Sequence, residues 1–221
     1  MSAPPATARR TRPAARSKGH RSRARRMQVW RRRLTLVAGF VLVVVAVLSL
    51  VSPADRVVKE IKLPLRHDDI IRQQAAEKNV DAALIAGVIY VESRFRDQTS
   101  HVGAKGLMQL MPETADYIAR KTGGTRFTRA DLATPQINIA YGTWYLRYLL
   151  DKYDDNTILA LAAYNGGETK VDEWRREAAA RGEKFRVADH VPFRETRDYV
   201  ERVLKARKDY RSNYPTELGL K

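Results

Sequence analysis

The stretch Asp81–Phe95, "DAALIAGVIYVESRF", decides how this chain folds, because it places one glutamate within an otherwise apolar helix. Each helical residue advances about 100° around the axis. If the direction of Leu84 around the helix axis is set to zero, Val88 lies at about 40° and Ile89 at about 140°. Glu92 lies at about 80°, in the middle of the apolar stripe. A carboxylate that faces a core is costly unless it is paired, protonated or used in chemistry.

Composition favours an α-rich domain without a metal or cofactor. The 221 residues are rich in Ala, Leu, Arg and Glu and contain no long run of alternating β-branched residues. The absence of cysteine excludes disulfides and thiol chemistry but does not fix the compartment. The four histidines show no metal-ligand spacing. We therefore expect no metal site and no cofactor.

The formal net charge of +16 is concentrated at one end of the chain. Residues 1–33 hold 12 of the 41 Lys and Arg residues and no acid, which leaves 29 against all 25 Asp and Glu residues elsewhere. A tail rich in Pro, Ala, Ser and Arg cannot bury enough apolar surface to order itself, so we expect residues 1–33 to be disordered. The remainder is only mildly cationic, which suits weak attraction of an anionic polymer.

Residues 34–51, "LTLVAGFVLVVVAVLSLV", form an 18-residue segment without charge. As a helix it would measure about 27 Å, close to the roughly 30 Å of a bilayer core. The basic residues before it predict a cytoplasmic N-terminus and a translocated C-terminal part. A buried core helix is the weaker alternative. A cleavable signal peptide is another, since Ser52-Pro53-Ala54 loosely resembles a cleavage site.

The rest of the chain reads as a linker, one helical domain and a short tail. Residues 52–64 are the linker, residues 65–212 the domain and residues 213–221 the tail. Asp81 is the predicted N-cap of the helix that carries Glu92, and no convincing strand is present. The predicted helices, with a short helical turn at Gly106–Met111, are Asp68–Lys78, Asp81 to about Ser93, Pro112–Lys121, Pro135 to about Tyr153, Asn156–Tyr164, Glu168–Ala180 and Pro192 to about Tyr210.

Four short motifs occur in order along this domain. They are Glu92-Ser93, Gly106-Leu107-Met108-Gln109, Ala163-Tyr164-Asn165, and Pro192 followed by Glu195, Thr196 and Tyr199. Together they resemble the lysozyme-like lytic transglycosylases, the soluble-lytic-transglycosylase catalytic domain family, over Leu65 to about Ser212. The resemblance implies a mostly α, goose-lysozyme-type helical domain with a substrate cleft. In this chain one transmembrane helix would precede it.

Each motif also has a reading from its residues alone. Burial should raise the pKa of Glu92 and let it act as a proton donor, whereas the alternative is a structural glutamate paired with Arg94 or Arg96. Ser93 orients the site or is merely a helix-terminal hydroxyl. The Gln109 amide suits sugar hydroxyls or N-acetyl groups, or is structural.

The two later motifs are read in the same way. The resemblance implies that Tyr164 and Asn165 line the cleft, although Asn165 also belongs to a helix stop. Glu195 suits the first turn of a helix, and Tyr199 is the better cleft candidate. Ser93, Gln109, Tyr164, Asn165 and Tyr199 are thus the predicted substrate-binding residues, and Glu92 is the predicted catalytic residue.

The resemblance further implies a mechanism with one carboxylate, although ordinary glycosidases use two. Asp97 and Glu113 lie nearby in sequence, but nothing singles them out. Glu92 would protonate the oxygen between N-acetylmuramic acid and N-acetylglucosamine. It would then take the proton of the muramoyl C6 hydroxyl as a 1,6-anhydro ring closes.

We therefore expect a peptidoglycan lytic transglycosylase, held by a single pass in the cytoplasmic membrane with its catalytic domain on the cell-wall side. Its predicted partners are the glycan strands of peptidoglycan and the bacterial cytoplasmic membrane, not nucleic acid. A hydrolytic muramidase on the same fold is the first alternative. A non-catalytic wall-binding or nucleic-acid-binding membrane protein is the second, supported only by the basic tail.

Overall fold

The computed structural model describes Trp30, Arg33, Leu34, residues 36–46 and residues 62–220. Of the predicted membrane segment 34–51, the described residues Leu34 and 36–46 are helical and exposed, and the others lie outside the described part. Among the described residues, no helix is both long enough and apolar enough to cross a membrane. The predicted tail 1–33 lies almost entirely outside the described residues, as does most of the linker.

Residues 62–220 are mostly helical, as predicted. The helices are α1 (Asp68–Lys78), α2 (Ala82–Ser93), α3 (Pro112–Thr122), a 3₁₀ helix (Arg129–Ala133), α4 (Pro135–Lys152), α5 (Thr157–Gly166), α6 (Glu168–Ala180), the short α7 (Val187–His190) and α8 (Arg194–Asn213). Within the described chain there is no strand, only two isolated bridges, from Lys105 to Thr99 and to Leu110.

Helix α2 lies at the centre of the domain because it is apolar on every side. Residues 82–89 are all buried, so the helix is surrounded by protein and not merely packed along one stripe. A Cβ on Gly87 would lie 3.0 Å from the backbone nitrogen of Arg207, which shows how closely α8 packs against α2. Asp81 caps α2 by accepting from the Ala83 N–H, as predicted, and its carboxylate also pairs with Arg207 at 2.6 Å.

Two predicted helical elements differ from the structure. The stretch Gly106–Met111 is not a helical turn but a tight loop closed by paired backbone bonds between Lys105 and Leu110. The last helix begins at Arg194, because Phe193 is still extended, and it continues to Asn213. The 3₁₀ helix and α7 were not predicted.

The packed region also extends past both ends of the predicted domain 65–212. Leu218 is buried, and the Tyr214 hydroxyl donates to the carbonyl of Leu63 at 2.7 Å. The Tyr210 hydroxyl donates to the carbonyl of Pro64. These bonds hold the C-terminal segment and the end of the linker against the helical core, close to the α2–α8 pair.

Candidate active site

Glu92 lies on the last turn of α2 and keeps only partial exposure to solvent. Loss of hydration is the largest influence on its carboxyl and raises the pKa from the ordinary 4.5 to about 7. The residue as a whole touches solvent, but the carboxyl is enclosed by protein. A carboxyl with this pKa is present in both protonation states near neutral pH, as a group that gives and reclaims a proton requires.

The alternative that Glu92 is a structural ion-pair partner finds no support. In residues 62–220, Glu92 forms no ion pair within 4 Å, and the guanidinium of Arg94 lies over the Tyr90 ring instead. Arg202 acts on the carboxyl from a distance and lowers its pKa, while the charge of Glu195 raises it. The pKa of the Glu92 carboxyl is therefore set mainly by desolvation.

Two tyrosines enclose the Glu92 carboxyl. Tyr199, on α8, is 2% exposed, and its hydroxyl is close enough to lower the pKa of Glu92. That hydroxyl has no partner at full hydrogen-bonding geometry within the described residues, so the contact is close but imperfect. Tyr164, on α5, feels the charge of Glu92, and burial raises its own pKa. The structure thus brings three predicted site residues together from three helices.

The loop Lys105–Leu110 is held against these helices by Asn138, a fully buried side chain on α4. Its Oδ1 accepts from the Met108 N–H at 2.8 Å, and its Nδ2 donates to the carbonyls of Lys105 and Leu132 at 3.0 and 2.9 Å. Gly106 is required beside it: its φ is 75°, and a Cβ would lie 2.1 Å from Asn138 Nδ2. Sequence reasoning missed Asn138, because an asparagine in a first helical turn reads as an ordinary capping residue.

Ser93 is 2% exposed and directs its hydroxyl at the same loop. It approaches the carbonyls of Leu107 at 2.7 Å and of Ile89 at 3.1 Å. Since a hydroxyl has one proton, these acceptors share or exchange it. The contacts agree with the helix-terminal alternative and add a second task, which is to join α2 to the loop. Contact of Ser93 with a substrate stays a prediction.

Gln109 ends the loop in a left-handed conformation, with φ 46°. Its Nε2 donates to the carbonyls of Gly106 at 2.7 Å and of Gln98 at 3.0 Å. Both amide protons therefore have acceptors, which leaves the side-chain oxygen as the group best able to meet a ligand. We therefore predict that Gln109 contacts a substrate only as a hydrogen-bond acceptor, through its side-chain oxygen.

Asn165 is exposed at the end of α5, and its Oδ1 accepts from Thr196 Oγ1 at 2.9 Å. That bond connects the Tyr164-Asn165 motif to the start of α8, and the two amide protons remain as the donors of the Asn165 side chain. Thr196 is buried and was not predicted as a site residue. Its position next to Glu195 in the last motif was the only available signal.

The other acids considered from sequence lie away from this chemistry. Glu113 is largely exposed and faces Arg129 at 3.5 Å, and Asp97 is exposed. Neither is among the groups that shift the pKa of Glu92. In the described part of the chain, no group of three or more His, Cys, Asp or Glu side chains is arranged to hold a metal ion.

Comparison with known sequences gives a family for the part of the chain that carries Glu92, Gln109 and Tyr164. The family model described as "Transglycosylase SLT domain" matches residues 69–186. The soluble lytic murein transglycosylase of Escherichia coli (strain K12) is 32% identical over 154 residues, which are 69% of this chain and 24% of that protein. The membrane-bound lytic murein transglycosylase C of Glaesserella parasuis serovar 5 is 32% identical over an alignment of 168 positions, which covers 66% of this chain and 46% of that protein.

Solved structures agree. The 70 kDa soluble lytic transglycosylase of Escherichia coli aligns with a TM-score of 0.65 and 30% identity, covering 73% of this chain and 27% of its own. The lytic transglycosylase Slt of Pseudomonas aeruginosa, solved as an inactive mutant, aligns with a TM-score of 0.63 and 32% identity, covering 70% of this chain and 25% of its own. This chain therefore spans about a quarter of these relatives and just under half of the membrane-bound one.

Proposed function

This chain belongs to the Transglycosylase SLT domain family, and on that premise we propose that it is a peptidoglycan lytic transglycosylase. The observation that carries the proposal is Glu92, a desolvated carboxyl with a pKa of about 7 between Tyr164 and Tyr199. Relatives named as lytic murein transglycosylases share this part of the chain. The substrate we propose is the glycan strand of peptidoglycan.

In the proposed reaction, Glu92 serves first as an acid and then as a base. Protonated Glu92 gives its proton to the oxygen that joins C1 of N-acetylmuramic acid to C4 of N-acetylglucosamine, and the C1–O bond breaks. The ionised carboxylate then takes the proton of the muramoyl C6 hydroxyl, whose oxygen bonds to C1. The products are a 1,6-anhydro end and a free C4 hydroxyl, and no water is consumed.

A pKa near neutrality suits both steps. At pH 7 a carboxyl with a pKa of about 7 is close to half protonated, so neither giving nor reclaiming the proton is strongly unfavourable. Gln109 through its oxygen and Asn165 through its amide protons would hold the N-acetyl and hydroxyl groups of the sugars. Ser93, through its hydroxyl on the Leu107 carbonyl, would keep the loop in place.

A hydrolytic muramidase is the second candidate, because a second carboxylate acts on the first. The charge of Glu195 reaches Glu92, and hydrolysis with inversion uses a second carboxylate to activate a water molecule. Glu195 is exposed in the first turn of α8, where the helix dipole favours its charge. The two reactions leave different ends on the muramic acid.

Product analysis tests the proposal. Intact peptidoglycan is digested with the full chain in detergent, and the fragments are identified by mass spectrometry. Anhydro-muropeptides should appear with the wild type and vanish with Glu92→Gln. The exposed Glu173, on α6, offers a matched control, because Glu173→Gln should leave the products unchanged. Reducing muramic acid ends would select hydrolysis, and unchanged activity of Glu92→Gln would remove Glu92 from the mechanism.

We also propose that residues 34–51 anchor the protein in the cytoplasmic membrane, with the domain on the cell-wall side. Support comes from the uncharged 18-residue segment behind a basic tail and from similarity to a relative named as membrane-bound. Protease added to intact spheroplasts should then digest residues 62–220 and spare the tail. N-terminal sequencing of the mature protein separates an anchor from a cleaved signal, since a new start near Ala54 would refute retention.

A further inference from the structure

A continuous row of aromatic rings leads away from Glu92, and we call it the aromatic track. Its members, from the candidate acid outward, are Tyr164, Tyr145, Tyr148, Trp144 and Tyr117. Tyr164 and Tyr145 have ring centroids 5.6 Å apart, and Tyr145 and Tyr148 are 6.0 Å apart. Trp144 lies 5.8 Å from Tyr148 with the two ring planes only 2° apart. Tyr117, on α3, meets both rings edge-on.

The track differs from the aromatic core of the same domain. The core rings Phe95, Tyr153, Tyr199 and Tyr210 are each 2% exposed or less. All five members of the track are partly exposed. Aromatic residues at helical spacing usually serve as core, but core rings are covered on all sides. Tyr145, Tyr148 and Tyr164 still pack against the core, and the remaining exposure of all five rings brings one side of the track to the surface.

Polar contacts fix the track in place. The Tyr148 hydroxyl donates to Glu168 Oε2 at 3.0 Å, and Lys152 Nζ donates to the same oxygen at 2.6 Å. A tyrosine held at both its ring and its hydroxyl loses little entropy when a ligand arrives. Rigid, partly exposed rings that begin beside a candidate glycosidic acid suit the flat, C–H-lined faces of pyranose sugars.

We propose that Trp144, Tyr148 and Tyr117 form a subsite for a pyranose ring of the glycan strand that flanks the cleaved pair of sugars. This inference rests on the proposed function, because it makes the track an extension of the proposed glycan-binding site at Glu92. The track would hold a long strand in register with Glu92 and would contribute little to the binding of a disaccharide. Affinity should therefore depend on strand length through these three rings.

Binding without turnover tests the subsite. In the Glu92→Gln full chain, affinities for the hexamer and the dimer of N-acetylglucosamine are measured by calorimetry. Trp144→Ala should weaken hexamer binding about tenfold, the equivalent of about 1.4 kcal/mol, and leave dimer binding unchanged. Trp144→Phe keeps an aromatic ring, so its hexamer affinity should lie between those of the parent and of Trp144→Ala. Phe127→Ala is the matched control, since Phe127 pairs with Tyr141 outside the track and should have no effect on either sugar.

A second variant on another helix protects the test against misfolding. If Trp144→Ala unfolds, Tyr117→Ala should show the same selective loss, with its thermal unfolding recorded beside it. Equal hexamer affinity in a folded Trp144→Ala or Tyr117→Ala protein would overturn the subsite, and so would a parent that binds no hexamer. Hexamer binding that depends on the track, without anhydro products from the wild type, would instead refute the lyase proposal and keep the subsite.

Discussion

The Tyr164 hydroxyl donates a hydrogen bond of 2.9 Å to the carbonyl oxygen of Met108, 56 residues earlier in the chain. The bond joins two of the four sequence motifs directly, because Met108 lies in the Gly106–Gln109 loop. Burial raises the pKa of Tyr164 most, and the residue also stands close enough to Glu92 for the charge of that carboxyl to raise the pKa of Tyr164 further. One side chain thus connects the loop to the candidate acid.

Replacing this hydroxyl should weaken both the fold and the reaction. Tyr164→Phe keeps the ring beside Glu92 but leaves the Met108 carbonyl without its donor. We expect the free energy of unfolding to fall by about 1 kcal/mol. The rate of anhydro product formation should fall as well, because the loop is freer to move. Chemical denaturation and initial rates measure the two effects.

Tyr90→Phe is the control for that experiment. The Tyr90 hydroxyl also donates to a main-chain carbonyl, that of Lys62 at 3.0 Å, which is not part of the loop. Tyr90→Phe should lose a similar or smaller amount of stability than Tyr164→Phe and should keep the wild-type rate of anhydro product formation. Equal losses of activity in Tyr164→Phe and Tyr90→Phe would show that the effect is one of general stability.

The stability of the protein should depend on pH through Glu92. Its pKa rises from 4.5 to about 7 on folding, so the unfolded chain ionises at lower pH than the folded protein. The contribution of the protonated carboxyl is complete below pH 4.5 and is lost as pH rises through 7. Glu92→Gln removes this loss and should make the protein about 3 kcal/mol more stable than wild type at pH 8. Denaturation at pH 4.5, 6 and 8 measures the difference.

The exposed Glu173 again provides the comparison. Glu173→Gln should follow the wild-type dependence on pH, because it keeps Glu92 and changes only an exposed side chain. If the difference in the free energy of unfolding between the wild type and Glu92→Gln were the same at pH 4.5 and at pH 8, the Glu92 carboxyl would not be desolvated.

Local signals predicted much of the fold, because a helix is defined by near neighbours. The bounds of α1 and α6 match the predicted ones, and Asp81 caps α2 as expected. The stretch Gly106–Met111 was predicted wrongly as a short helical turn, since the shape of this loop depends on Asn138, about 30 residues further on. No local pattern reveals such a contact.

The position of Glu92 in an apolar helix was readable from its spacing, and its raised pKa follows from that position. The exact neighbours of the carboxyl were not readable. Tyr199 and Tyr164 reach Glu92 from helices that are distant in sequence and were proposed only through the family resemblance. The aromatic track was invisible because Trp144 and Tyr148 have the helical spacing of ordinary core residues, and only their partial exposure distinguishes them.

Removing the Tyr199 hydroxyl should shift the pH dependence of activity. That hydroxyl lowers the pKa of Glu92, so Tyr199→Phe should raise it further and extend the protonated form to higher pH. The alkaline limb of kcat/KM, which reports the acid of the free enzyme, should move upward. At pH 4.5, where Glu92 is protonated, stability should change little, since the buried hydroxyl has no well-formed partner within the described residues. Above pH 7 stability should fall, because a higher pKa of Glu92 makes its ionisation in the folded protein more costly.

Tyr153→Phe separates this effect from a general loss of a tyrosine hydroxyl. The Tyr153 hydroxyl donates to Asp172 at 3.0 Å, on the α6 side of the domain. Its removal should lower stability and leave the alkaline limb where it is in the wild type. A limb that is unmoved or moved downward in Tyr199→Phe would contradict the assigned contact with Glu92.

Asn138 should matter for activity far more than its distance along the chain from Glu92 suggests. Asn138→Ala leaves the Met108 N–H and the Leu132 carbonyl without a partner and removes one of the two donors to the Lys105 carbonyl, which keeps its bond from the Leu110 N–H. Unsatisfied buried groups cost about 1–3 kcal/mol each, so we expect a loss of about 3 kcal/mol or more. Product formation should fall even at a temperature at which the variant is still folded, because the loop loses its main support.

Thr143 supplies the matched control on the same helix. It is also fully buried, but its hydroxyl has no hydrogen-bond partner in residues 62–220. Thr143→Val keeps the shape and removes an unsatisfied group, so stability should hold or rise by up to about 1 kcal/mol with the rate unchanged. If folded Asn138→Ala retained the wild-type rate per molecule, the loop would not position the site. If Thr143→Val lost activity, the effect would belong to α4 as a whole and not to the bonds of Asn138.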